Sequence, residues 1–198
     1  QGYEVTTVLV PDADRAHYMP GAKPIILKLV VDSKTRKLLG AQVAGPGQGD
    51  KRMDVAAMAL TAGMTVDQLA KVDLCYAPPY SPALDNIITA ANVARNKLEG
   101  QVTGISPQEV KNWIDAKADF VLLDVRSPQE FAAARIDDPR VRLLPLGKLR
   151  DELVHLPKDR PIVTMCKVSL RGYEAQRILS NAGFTNVSFM EGGISAWP

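Results

Sequence analysis

Ile162-Val163-Thr164-Met165-Cys166-Lys167-Val168-Ser169-Leu170-Arg171-Gly172 is the stretch that decides how this chain is read. A short apolar run of the kind expected for a buried strand ends at a cysteine. A basic loop follows. Gly172 to Ala182 then reads as a helix, with Gly183 as its C-terminal stop. Strand, tight loop and helix in that order turn successive backbone N–H groups toward one point. The helix start adds partial positive charge there. Lys167 and Arg171 supply full charges. Such a setting favours a thiolate and suits an anionic adduct, such as a persulfide, or an anionic sulfur donor. The plainer alternative is a buried structural thiol, the common state of a free cysteine.

The surrounding sequence alternates strand and helix signals. Ser106-Pro107-Gln108-Glu109 is a capping box with proline at the first helical position, and Ser127-Pro128-Gln129-Glu130 starts a second helix. Phe120 to Val125, Val141 to Leu144, Pro161 to Met165 and Asn186 to Met190 are the expected strands. This cadence predicts an α/β unit with a parallel sheet.

The first half reads differently. Tyr3 to Val10, Ile25 to Val31 and Leu38 to Ala44 are strands, the last two joined by the polar hairpin turn Asp32 to Lys37. A helix from Met53 to Met64 is apolar nearly all round, which predicts burial on more than one side. Thr65-Val66-Asp67-Gln68 is a capping box. Three prolines between Cys75 and Pro82 predict an extended, semi-rigid segment. Leu84, Ile87, Ile88 and Ala91 share one face of a further helix. Together these predict an α+β unit with an antiparallel sheet. Both tryptophans and all four phenylalanines lie beyond residue 100, and the polar stretch Asn96 to Gly104 suits a linker. The expected domains are 1–100 and 101–198.

Composition narrows the function. With 46% apolar and 23% charged residues, the 198-residue chain has the usage of a globular protein. The net charge of +2 gives no electrostatic case for nucleic-acid binding. No apolar run reaches the ~18 residues of a membrane span, and the start lacks a signal-peptide pattern. Two cysteines, Cys75 and Cys166, cannot form a disulfide framework, so a reducing cytoplasm is expected. Cys75 beside the prolines reads as a packing thiol. His17 and His155 show no metal-ligand spacing. The chain begins at Gln1 rather than Met, as expected of a piece of a longer protein.

Residues 101–198 resemble a single-domain rhodanese module, a sulfurtransferase. The resemblance rests on Leu123-Asp124-Val125-Arg126-Ser127-Pro128-Gln129-Glu130-Phe131, on the Cys166–Arg171 loop, and on Ala182-Gly183-Phe184 with Glu191-Gly192-Gly193-Ile194-Ser195-Ala196-Trp197. It implies that Cys166 is a nucleophile carrying sulfane sulfur as a persulfide. Lys167, Val168, Ser169, Leu170, Arg171 and Gly172 would form the anion-binding loop, with no cofactor in this domain. Asp124 and Arg126 match structural positions. Two features depart from the family. Arg135-Ile136-Asp137-Asp138-Pro139 replaces a stretch resembling His-Ile-Pro-Gly-Ala, and the loop has no glycine between Cys166 and Arg171. The second departure suits a thiol persulfide carrier better than thiosulfate. Related dual-specificity phosphatases keep five residues between Cys and Arg. Here Lys167, Val168, Ser169 and Leu170 make a smaller ring, which suits sulfur rather than phosphate.

Residues 1–100 resemble the dimerisation domain of the pyridine nucleotide-disulfide oxidoreductases, in the coenzyme A-disulfide reductase and NADH oxidase branch. The motifs are Ala16-His17-Tyr18-Met19-Pro20-Gly21, Leu39-Gly40-Ala41-Gln42-Val43-Ala44-Gly45, Asp54-Val55-Ala56, Ala62-Gly63-Met64-Thr65 and Asp73-Leu74-Cys75-Tyr76-Ala77-Pro78-Pro79-Tyr80-Ser81-Pro82. The resemblance implies flavin and nicotinamide domains upstream of Gln1. No Gly-x-Gly-x-x-Gly occurs in the chain, and neither cysteine matches the family's redox cysteine. The fusion resembles reductases of coenzyme A disulfide, persulfide or polysulfide. It implies FAD, NAD(P)H and coenzyme A for the parent, thiol or persulfide carriers as partners, and a homodimer through residues 1–100. Tyr18 and Tyr76 match two tyrosines that reach the partner subunit's active site; ordinary interface tyrosines are the alternative. An NADH oxidase parent, and a rhodanese that only docks carriers or senses redox state, are the competing readings.

Overall fold

Val8, Val10, Ile25, Leu27, Leu29 and Val31 are buried and alternate with less buried residues except at Pro11 and Asp32, as in a sheet covered on one face. They belong to strands β1 (Val5–Ala13) and β2 (Pro24–Asp32), which with β3 (Leu38–Ala44) form an antiparallel sheet of order β1-β2-β3. The structure is a computed structural model that describes residues 2–198. It divides into a unit that ends at Gln101 and another from Val102 to Pro198.

Helices α1 (Asp50–Thr61), α2 (Val66–Leu69) and α3 (Asn86–Leu98) complete the first unit. Thr65 and Gln68 form the expected capping box. Four expectations need correction. The helix predicted over Met53 to Met64 starts at Asp50 and stops at Thr61, and only Arg52, Ala56 and Ala59 along it are buried. Met58 is 69% exposed. One face alone meets the core, and the alanines on its other faces read as apolar without being covered. Leu84 lies outside its helix and is 54% exposed. The Asp85 side chain accepts the Ile87 amide at 3.2 Å and starts α3 one residue after itself. Ile87, Ile88 and Ala91 are buried inside the unit. Cys75 is exposed rather than packed. Its carbonyl is the tied part, accepting from Ser81 Oγ at 3.4 Å and Lys51 Nζ at 3.5 Å. The segment to Pro82 is also not extended throughout, because Ala77 O accepts the Tyr80 and Ser81 amides at 2.9 and 3.1 Å in a turn.

Between β3 and α1 runs Gly45-Pro46-Gly47-Gln48-Gly49, a glycine-rich turn at a helix start. Its shape serves packing: a Cβ on Gly45, at φ +131°, would lie 2.6 Å from Pro24 O. The Gly47 amide donates to Pro24 O at 3.3 Å, and the Gln48 amide to Asp14 Oδ2 at 3.0 Å. Asp14 is buried. Burial alone would raise its pKa. Hydrogen bonds from Arg15 and from the Lys23 and Gln48 amides outweigh that and hold it well below the usual carboxylate range. Arg52, also buried, donates to Asp14 O at 2.8 Å and pairs with Asp85 at 2.9 Å.

The second unit is a five-stranded sheet of order β4-β8-β7-β5-β6: β4 (Gly104–Ile105), β5 (Val121–Asp124), β6 (Val141–Leu143), β7 (Ile162–Met165) and β8 (Val187–Met190). Every pairing is parallel. Helices α4 (Pro107–Asp115) and α5 (Pro128–Ala133) both start at the expected capping boxes, each with proline in its first turn. Helix α6 (Leu170–Asn181) begins two residues before the expected Gly172. The order fixes where a site can lie. From β5 the chain proceeds to the edge strand β6, and from β7 it moves the other way, to β8. The C-terminal ends of β5 and β7 therefore flank a topological switch point.

Candidate functional site

Cys166 stands at that point, immediately after β7. Its residue is 0% exposed, packed among Leu123, Val125, Ala175 and Leu179. Among the described residues, the amides of Lys167 to Gly172 donate no backbone hydrogen bond. They are the orphan donors of a helix start, available to an anion. Leu170 and Arg171 belong to the first turn of α6 rather than to the loop, and Leu170 is 63% exposed. Gly172 faces β7 at ordinary contact distance, where a Cβ would lie 3.4 Å from Met165 Cα. The Thr164 hydroxyl bonds Gly172 O at 2.7 Å and fastens the same contact.

The loop is also held from the C-terminal side. The Ile194 amide donates to Cys166 O at 2.9 Å and the Ser195 amide to Lys167 O at 3.0 Å. Gly192 N donates to Ser169 Oγ at 2.8 Å, and Ser169 Oγ in turn bonds Val168 O. Gly193, at φ +54°, passes so close that a Cβ would lie 2.4 Å from Cys166 O. The sequence marks Glu191-Gly192-Gly193-Ile194 as a motif but gives no sign of this clamp.

Arg171 points to Glu130. Its Nη1 and Nη2 donate to Glu130 Oε2 and Oε1 at 2.8 and 2.6 Å. This fork holds Glu130 down to about 2, against the opposing effect of burial. Glu130, and secondarily the Cys166 side chain, hold the Arg171 guanidinium charged. The same Glu130 carboxylate accepts the Ser127 amide at 3.0 Å in the α5 capping box. Sequence reasoning found Glu130 only as a capping residue, because its partner lies across the fold. Asp124 and Arg126 are structural, as expected. Both are buried, and Arg126 donates to Asp124 Oδ2 at 2.6 Å and to Ala134 O at 2.8 Å, binding the end of β5 to the end of α5.

In the first unit the structure brings Tyr18 and Tyr76 together. The Ala16 amide donates to Pro78 O at 3.3 Å and joins their segments. Partial desolvation first, and then the adjacent Tyr18 hydroxyl, raise the Tyr76 pKa. Both rings are largely exposed, at 67% and 51%. In the glycine-rich turn before α1 the Gln48 amide is already engaged by Asp14 and the Gly47 amide by Pro24 O, so neither is left for a dinucleotide phosphate. Among the described residues no group of three or more His, Cys, Asp or Glu is placed to hold a metal ion. No helix among them is long and apolar enough to cross a membrane.

Known proteins agree with this division. Residues 1–88 match the pyridine nucleotide-disulphide oxidoreductase dimerisation domain, and residues 106–198 match the rhodanese-like domain. The NAD(P)H coenzyme A polysulfide/persulfide reductase of Pyrococcus horikoshii is 43% identical over 95 residues, which are 48% of this chain and 21% of that protein. The structure of a NAD-dependent persulfide reductase from A. fulgidus aligns over 100% of this chain and 35% of its own, with 47% identity and a TM-score of 0.88. The reduced Bacillus anthracis CoADR-RHD structure aligns over 98% of this chain and 34% of its own, with 34% identity and a TM-score of 0.89. The chain thus spans about a fifth of that curated relative and about a third of those solved structures.

Proposed function

We propose that this chain, a pyridine nucleotide-disulphide oxidoreductase dimerisation domain followed by a rhodanese-like domain, is the C-terminal portion of an FAD- and NAD(P)H-dependent reductase of coenzyme A disulfide, persulfide or polysulfide. The observation that carries this reading is the likeness over the full chain to the A. fulgidus persulfide reductase, at 47% identity. In this reading FAD and NAD(P)H supply the reducing chemistry and are bound by other parts of the parent. Residues 1–100 form a homodimer, and Tyr18 and Tyr76 serve the partner subunit's redox site. The two free thiols suit a cytoplasmic setting.

The rhodanese-like domain moves sulfur through Cys166. The orphan amides of the loop and the start of α6 stabilise the thiolate and then the outer sulfur of Cys166–S–S⁻. A carrier thiolate attacks that outer sulfur, and Cys166 leaves as a thiolate. The four-residue spacing between Cys166 and Arg171 supports sulfur rather than phosphate as cargo. The test is intact mass after incubation with a sulfane donor. The wild type gains one sulfur atom and Cys166→Ser gains none. Sulfur on Cys75 instead, or on neither residue, would overturn catalysis. Complete burial of Cys166 is what favours the second reading, a module that only docks carriers, which takes the place of catalysis in that outcome.

A further inference from the structure

The Arg171–Glu130 fork bears on which donor the loop accepts. An arginine has five N–H donors. Two of those on Arg171 are engaged by Glu130 at 2.8 and 2.6 Å, and both side chains are about one-third exposed. Glu130 is itself fixed from behind by the Ser127 amide at 3.0 Å, so the fork cannot swing freely. The pair carries no net charge. Lys167 is then the one full cation of the Cys166–Gly172 segment without an opposing carboxylate among the described ion pairs, and it is exposed.

We propose that Glu130 is a selectivity residue: by pairing with Arg171 it leaves the Cys166 loop suited to a thiol persulfide, R–S–S⁻, and poorly suited to dianionic thiosulfate. This rests on the reading of Cys166 as the sulfur acceptor. With a persulfide, the Cys166 thiolate attacks the outer sulfur. One S–S bond forms as the donor S–S bond breaks, and R–S⁻ leaves with the electron pair. Sulfur passes as the neutral atom, and the two negative charges present before the step are present after it. With thiosulfate the same displacement gives Cys166–S–S⁻ and sulfite, and three negative charges must be held throughout. The extra charge is what a loop with a neutralised arginine holds poorly. Glu130 is therefore a positioning residue that acts through Arg171, not a group that touches the sulfur.

The experiment measures the rate of Cys166 persulfide formation by intact mass of quenched samples. The donors are the persulfide of 2-mercaptoethanol and thiosulfate. Wild type is expected to react faster with the persulfide. Glu130→Gln keeps the shape and an acceptor for the Ser127 amide but removes the charge. It should shift the ratio of rates toward thiosulfate by about tenfold, as expected of one partly screened unit charge, and the shift should shrink with added salt. Ser127→Ala removes the cap hydroxyl, which also touches the Glu130 carboxylate, but leaves the Glu130 charge and its Arg171 fork in place, and should keep the wild-type ratio. A folded Glu130→Gln protein that forms the persulfide with an unchanged ratio would overturn the proposal and leave the role of Cys166 standing. A wild type that reacts faster with thiosulfate would overturn it with no variant needed. No sulfur on wild-type Cys166 from either donor would overturn both readings.

Discussion

Tyr18 and Tyr76 come from motifs far apart in the chain, yet both are exposed and lie close enough for the Tyr18 hydroxyl to add to the desolvation that raises the Tyr76 pKa. Two large exposed aromatics that each keep a hydroxyl are suited to a partner with both apolar and polar parts. In the full-length parent, replacing both by phenylalanine should slow reductase turnover with coenzyme A persulfide and leave sulfur loading of Cys166 unchanged. Steady-state assays decide it, and an unaltered turnover would remove the tyrosines from the redox site. Single residues were legible in the sequence where their meaning was local. Cys166 ends an apolar run, whereas the structural role of Asp124 and Arg126, which pair in the fold, was implied by the resemblance alone. Glu130 was half legible: its cap is three residues away, but its partner Arg171 lies 41 residues along the chain and meets it only in the fold. Cys75 was misread because the preference of free cysteine for burial says nothing about a segment whose backbone is what is anchored.

Elements were legible where start signals are chemical. The capping boxes of α2, α4 and α5 form as the sequence predicts. The two-residue strand β4 is too short to carry a period. The early start of α6 was hidden because Val168, Ser169 and Leu170 look no more helical than extended. The turn at Gly192-Gly193 is the element that most needs its glycines. Gly193→Ala would drive a methyl into the Cys166 and Lys167 carbonyls at a backbone angle that disfavours any side chain. It should destabilise the second unit by about 2–4 kcal/mol in chemical denaturation and slow sulfur loading. Gly147→Ala, where the added Cβ meets nothing within 4 Å, should change stability by no more than ~0.5 kcal/mol. Equal effects at the two positions would show that the clamp is unimportant.

For the whole molecule, the division into two units followed from composition and rhythm, but the apolar stripe on α3 did not behave as the sequence suggested. Ile87, Ile88 and Ala91 are consumed by the unit's own core. The apolar surface left over lies elsewhere, around Val55, Met58, Ala62, Met64, Val72 and Leu74. The homodimer expected of residues 1–100 should therefore persist in the chain described here. Light scattering at about tens of micromolar should give twice the chain mass, and Met58→Glu should lower it. A monomeric wild type would refute the assembly. The turn before α1 has a further consequence for the parent enzyme. Asp14 is tethered to that turn by the chain, so its carboxylate competes there at an effective concentration fixed by geometry rather than by supply. The Gln48 amide of the turn is thus an anion donor already satisfied from within the chain. A nucleotide phosphate arriving at this turn would meet a carboxylate already seated on the Gln48 amide, so the turn offers it no vacant place.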